Sequence, residues 1–224
     1  MEDNVQTFEQ LLKNTVAHPI LPAALLKQAH YVFKLSHPSD FFGIDPVDTN
    51  AMIQRTELLF QQHGATWGIG QYAEERDIYS HPQYQQNHRC VHLGLDLSAP
   101  AHTAVYAPID GSCHSFCDNS QPGDYGPTLI LEHRVETERF YTLYGHLTQQ
   151  SLERLKHQST FSAGELIGRI GTASENGGWP PHLHVQIIRD MGDYTGNFPV
   201  VCDKKEAAQW LQRCPNPNLL LKLW

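Results

Sequence analysis

A mainly β domain, with antiparallel strands in two packed sheets or a flattened barrel and helices packed outside it, is the fold this 224-residue chain predicts. Three observations carry it. Runs such as VHLGLDL (91–97), RFYTLY (139–144) and HLHVQII (182–188) alternate apolar and polar residues with a period of two. Fourteen prolines and sixteen glycines break the chain into short segments. Helical spacing, by contrast, concentrates at the two ends. The expected divisions are a helical N-terminal extension over 1–64, a β domain over 65–200, and a C-terminal helix and tail over 201–224.

In the extension, Phe8, Leu11, Leu12 and Thr15 recur at helical spacing. A second candidate helix carries Leu25, His30, Val32 and Phe33. A third opens at Asp48 or Thr49, carries Met52, Ile53, Leu58, Leu59 and Phe60, and stops at Gly64 in the manner of a C′ glycine. No catalytic pattern lies here, so the extension reads as a packing appendage, with a regulatory pro-segment or docking face as the functional alternative. TWGIGQY is strand-like, and the polar run that follows to residue 88 reads as a loop. Asp110-Gly111 suits a hairpin turn. TLILEH and TERFYTLYGHL suit two adjacent antiparallel strands, and strict alternation places Phe140, Thr142, Tyr144 and His146 on one face. The glycines at 164, 168 and 171 do not form a phosphate-binding signature. KKEAAQWLQR in the tail reads as a helix.

A formal charge of −8 and a pI near 5.9 argue against nucleic acid and anionic membrane surfaces as partners. No run approaches the roughly 18–20 apolar residues that insert into a membrane. The N-terminus is acidic, and its only apolar run is interrupted by Pro22, which predicts no signal peptide. Five cysteines, an odd number, fit reduced thiols, and Cys113 and Cys117 read as buried free thiols rather than metal ligands. A cytoplasmic protein is the expectation.

His92 and Asp96 lie on one side of a strand-like run, but in a straight strand they would be roughly 13 Å apart along its axis. Ligands of one zinc have donor atoms about 3 to 4 Å apart. The run must therefore bend, and Gly94 is the residue that permits it. His182 and His184 share a face with Cα atoms roughly 6.6 Å apart, which suits one ligand and one catalytic neighbour. His146 ends a third strand-like run between the two. The chain has no H-E-x-x-H and no G-x-S-x-G. Cys90, on the strand face of His92, reads as packing rather than as a nucleophile.

The ordered motifs H-x-x-x-D (His92 to Asp96), Y-x-H-L (Tyr144-Gly-His146-Leu147) and H-x-H (His182-Leu-His184) resemble the lysostaphin-type (LytM-like) zinc metallopeptidases over about residues 88–190. The resemblance implies a duplicated-hybrid-motif-like β fold. It implies Zn2+ on His92, Asp96 and His184, with an open position for water, and His146 and His182 as catalytic residues, one of them the base. It further implies hydrolysis of short peptide or amide bonds, with a peptide or muropeptide substrate, by a zinc-activated water. A small-amide metallohydrolase and a non-catalytic metal-bearing module are the alternatives. In that family the segment before the first motif can cross the cleft, which makes His81, Asn87 and His88 candidate occupants of the open position. Ala173 and Gln186 stand where the family often has glycine and glutamate, and neither is expected to ligate or act as base. Trp179-Pro180-Pro181 is expected to shape one wall of the cleft. The end of the tail is similar to bacterial chains that fuse such a domain between kinase-like and aminotransferase-like domains.

Overall fold

The structure, a computed structural model, describes residues 6–80 and 89–224. It is mainly β. Helices α1 (Phe8–Asn14) and α2 (Ala23–Leu26) lead into strand β1 (His30–Phe33), helix α3 (Thr49–His63) and strand β2 (Trp67–Gly70). Strands β3 (Arg89–His92), β4 (Leu95–Ser98), β5 (Ala104–Tyr106), β6 (Gly111–Asn119), β7 (Gly126–Val135) and β8 (Glu138–Gly145) follow. Helix α4 (Gln149–Leu152) precedes β9 (Thr160–Phe161), β10 (Leu166–Arg169), β11 (His182–Ile188) and β12 (Val201–Asp203). Helices α5 (Ala207–Arg213) and α6 (Asn218–Leu221) close the chain.

Eight strands form one sheet in the order β1-β2-β4-β11-β8-β7-β6-β9, and β10-β5 and β12-β3 form two small ladders. Among the described residues there is no closed barrel. Every pairing is antiparallel except β1 with β2. The central strands are apolar on both faces because both are covered. Leu97, Leu129, Tyr144 and Val185 join a cluster with Val105 and Ile167 on one side. Ile130, Leu143 and Ile188 meet Val91, Phe198 and Cys202 on the other, beneath Trp210 of α5. No described helix is long and apolar enough to cross a membrane.

Three local expectations change. The helix expected through Leu25 to Phe33 stops at Leu26, and His30–Phe33 becomes a strand parallel to β2, so the extension adds an edge to the sheet. Parallel pairing with a distant segment overrides the weak local spacing. Asp110-Gly111 does not close a hairpin, because β5 pairs with β10 while β6 pairs with β7 and β9. Gly111 is needed for space instead: a methyl group there would lie 2.7 Å from the His133 ring. Of the two thiols expected to be buried, Cys113 is buried and Cys117 is exposed. The third helix behaves as its termini indicate. Asp48 accepts a hydrogen bond from the Ala51 amide at 3.0 Å, and Gly64 turns the chain at φ +63°.

Candidate active site

The run from Arg89 to Ser98 bends where the ligand spacing requires it. β3 ends at His92, β4 starts at Leu95, and the two strands belong to different sheets. Gly94 sits at the break, and a methyl group on it would be 2.6 Å from both the His184 ring and the Val185 carbonyl. Register places His184 opposite Asp96 on one side and Gly145 on the other. As a result His92 Nε2, Asp96 Oδ1 and His184 Nδ1 converge. The separations are 3.1 Å between the two histidine nitrogens, 3.4 Å from His92 to Asp96, and 2.9 Å from His184 to Asp96. A tetrahedral ion with ligands at 2.0–2.1 Å has donor–donor edges of about 3.4 Å, so this set fits zinc in both spacing and chemistry.

The far side of each group is held. His92 Nδ1 lies 2.9 Å from the Gln71 carbonyl, which can only accept, so a proton there leaves Nε2 as a donor atom for metal. His184 Nε2 lies 3.2 Å from Gln186 Oε1, while the Gln186 amide donates to the Pro199 carbonyl at 3.2 Å. Gln186 is therefore neither ligand nor base, but it sets the tautomer that turns Nδ1 of His184 toward the cluster.

Strand alternation misplaces His146. β8 ends at Gly145, and His146 takes φ +62°, a left-handed conformation uncommon for histidine. Thr142 and Tyr144 bond to each other on the opposite side of the sheet from His184. The left-handed turn removes His146 from that face and brings its ring to 4.1 Å from the ring of His182. His146 Nδ1 donates to the Asn176 carbonyl at 2.8 Å and His182 Nδ1 to the Pro180 carbonyl at 2.7 Å. Each imidazole thus keeps a free lone pair on Nε2. His182 Nε2 lies 3.9 Å from Asp96 Oδ1.

Burial lowers the basicity of these rings. His92 is pushed down to about 4 by burial and then by the nearby Arg76 charge. Burial followed by His182 holds His146 well below the usual range, and burial lowers His182 as well. For Asp96, burial alone would raise the carboxyl. The facing His92 and Arg76 and the histidine hydrogen bonds outweigh it and hold the group well below its ordinary value.

Arg76 is the residue that motif spacing does not reveal. It is buried, donates through Nη1 to Asp96 Oδ2 at 2.6 Å, and places Nη2 2.8 Å from His92 Nδ1. An arginine only donates, so Nδ1 of His92 serves either Arg76 or the Gln71 carbonyl at one time. Arg76 lies in the polar segment before β3, tied in by the Glu75–Val91 bridge. His81, Asn87 and His88, the expected occupants from that segment, lie outside the described residues.

The cluster floors a cavity of about 280 Å3 that Trp179, Pro180 and Tyr125 line on one side. Phe33, Phe41, Phe42, Ile44 and Met52 of the extension line another.

The sequence profile of peptidase family M23 matches residues 90–196, the stretch that carries all five histidine and aspartate positions. Over that stretch the chain is similar to peptidase family M23. This agrees with the lysostaphin-type resemblance of its motifs. Solved structures similar to the chain include a peptidase M23 structure from Pseudomonas aeruginosa, at 18% identity over 59% of this chain and 44% of that one, TM-score 0.38. A zinc containing peptidase from Vibrio cholerae shows 24% identity over 51% and 30%, TM-score 0.36. The catalytic domain of lysostaphin from Staphylococcus simulans shows 22% identity over 54% and 80%, TM-score 0.38. The chain spans less than half the length of the first two. No curated protein matches it significantly.

Proposed function

We propose that this M23-like domain is a zinc-dependent metallopeptidase that hydrolyses short peptide or amide bonds, of muropeptide type. The observation that carries the reading is the convergence of His92 Nε2, Asp96 Oδ1 and His184 Nδ1 within 2.9–3.4 Å of one another, with His146 and His182 beside them. His92, Asp96 and His184 would hold the ion. Bound zinc supplies Lewis acidity, polarising a carbonyl and lowering the pKa of water.

The remaining steps fall to the chain. His146 and His182 are neutral near pH 7 and anchored at Nδ1, so either can take a proton at Nε2. The imidazole that takes the water's proton becomes the donor to the departing amine. Asp96 near His182 Nε2 stabilises the charged form in the meantime. Burial of the whole group strengthens each of these interactions.

The test is to load the protein with zinc, incubate it with soluble muropeptides and oligoglycines, and read products by mass spectrometry. New fragments are expected, and His146→Ala should retain zinc while losing about 10²–10⁴-fold in rate. Zinc binding without fragments from either substrate would overturn the muropeptide assignment and favour a small amide. Absence of zinc binding would remove the peptidase reading itself. We also propose a reducing compartment, on the five unpaired thiols. Finding the protein in an oxidising compartment on cell fractionation would reject that.

A further inference from the structure

We propose that the N-terminal extension builds a subsite for a bulky apolar side chain next to the scissile bond. The preferred substrate is then a short peptide or N-acyl amide with an aromatic or large aliphatic residue there. This rests on the peptidase reading above.

The cavity over the His92–Asp96–His184 cluster has two kinds of lining. The β domain brings the imidazoles, Asp96, Arg76 and Asp124, while no lining residue from 33–56 is ionisable. Phe33 and Met52 are buried at the base, with Phe41 stacked at 5.9 Å from Phe33. Phe42 lines the cavity and stands 67% exposed, so its ring is available to a bound side chain.

The wall is fixed rather than loosely draped. Asp40 accepts from the Tyr31 hydroxyl at 3.0 Å and the Lys34 amide at 2.8 Å, and its carbonyl accepts from Arg55 Nε at 2.7 Å. Glu74, two residues from Arg76, accepts from the amides of Leu35 and Ser36 at 2.7 and 3.2 Å. On the opposite side, the Thr49 hydroxyl donates to the Gly178 carbonyl at 2.5 Å, next to Trp179. The extension therefore spans from the floor to the Trp179 side, and the space it bounds is small: about 280 Å3 holds a residue or two, not a long polymer strand. A charged side chain entering against the 33–56 wall would lose hydration there and gain no ion-pair partner from it. An apolar one exchanges water for aromatic and aliphatic contact.

The experiment compares acetyl-X-Gly-amide and acetyl-Gly-X-amide, with X as Gly, Ala, Leu, Phe, Asp or Lys. Zinc-loaded protein is assayed for hydrolysis, and metal-free protein for binding by ligand-detected NMR. Phe or Leu in one of the two positions should exceed Gly by about 10- to 100-fold in kcat/KM. Metal-free protein should bind the same peptide preferentially. Phe42→Ala should reduce both preferences at least several-fold, whereas Val16→Ala, exposed but not lining the cavity, should leave them intact.

Hydrolysis that is equal for all X, or best for Gly, Asp or Lys, overturns the subsite and leaves the peptidase reading standing. No hydrolysis, with Phe42-dependent binding of the Phe or Leu peptide to metal-free protein, does the reverse. Neither hydrolysis nor side-chain-dependent binding overturns both.

Discussion

At the floor of the cleft, His92 and His184 each face a partner that fixes one ring nitrogen, Asp96 is gripped through one oxygen, and the opposite atom of each turns toward the shared cluster. The wall over residues 33–56 is anchored through its backbone and presents mostly apolar side chains. The floor residues sit at the ends of β3, β4, β8 and β11, within or beside the sheet. Much of the wall is loop between β1 and α3. Bond making needs atoms held to within about half an ångström, which strands and paired hydrogen bonds provide. Selecting a side chain needs only a surface of the right character, which a loop can supply and vary.

The largest separation between the two regions is expected at Gly94. A methyl group there meets the His184 ring and the Val185 carbonyl at 2.6 Å, so Gly94→Ala must displace the strand that carries a candidate ligand. Zinc affinity should fall by more than about 100-fold, beyond the usual effect of losing an outer-shell partner. A competition titration against a chelator, with circular dichroism to confirm folding, measures it. Unchanged affinity would mean the floor tolerates movement and is not built as described.

Arg76→Met comes next. It leaves the mostly buried Asp96 without its cationic partner, and removing one member of a fully buried pair costs about 3–5 kcal/mol, an upper bound here. Zinc would supply the missing charge. Urea unfolding should therefore show a large loss in metal-free protein and a smaller one with zinc, so that zinc stabilises the variant more than the wild type. An equal loss in both states would make Arg76 a packing residue only.

The two regions also differ in how far the sequence discloses them. H-x-x-x-D alone is a weak signal, but followed in order by Y-x-H-L and H-x-H it points to metal, and the bend at Gly94 then follows from ligand distances. Alternation located β4, β8 and β11 of the main sheet but put His146 on the wrong face, because a left-handed φ at a non-glycine residue leaves no local trace. Arg76 sits in the run AEERD, where charge ordinarily means a solvated loop, and only the fold returns it to Asp96. The strand His30–Phe33 depends on a partner some forty residues away. The wall did carry a signal. Phe41-Phe42-Gly43-Ile44 is an apolar patch in a turn-rich stretch, too irregular for a helix face.

The wall contributes no titratable lining group, so pH separates it from the rest of the protein. His133 is buried, with Nδ1 2.7 Å from the Asp110 carbonyl and Nε2 2.6 Å from the Thr142 hydroxyl, and burial pushes it down to about 4. The unfolded chain takes up that proton near pH 6.5. The stability owed to neutral His133 is complete above about 6.5 and is lost as pH falls toward about 4, amounting to about 3 kcal/mol. His133→Gln should flatten this part of the urea midpoint against pH. Phe42→Ala should run parallel to wild type. A bend in the Phe42→Ala curve would trace to the His37 ring, which packs 5.6 Å from Phe42 outside the cavity lining.

Gln186→Leu tests the floor more gently. It removes the oxygen that sets the His184 tautomer while keeping side-chain volume, and zinc affinity should fall about 10- to 100-fold. Gln186→Glu should retain most of the affinity, since a carboxylate accepts the same proton. Equal loss in both variants would show that the Gln186 contacts to Pro199 and Cys214, rather than to His184, are what matter.

The smallest expected effect bears directly on the wall. Thr49→Val keeps shape but removes the hydroxyl that donates to the Gly178 carbonyl, worth about 1 kcal/mol as a single hydrogen bond. Because this bond joins α3 to the Trp179 side, its loss should loosen the wall without reaching the floor. Zinc affinity should stay constant while the preference for Phe or Leu over Gly drops a few-fold. A change in zinc affinity would couple wall to floor through the Glu74 and Arg76 segment, and a drop in stability with selectivity intact would show that Asp40 and Glu74 hold the wall unaided.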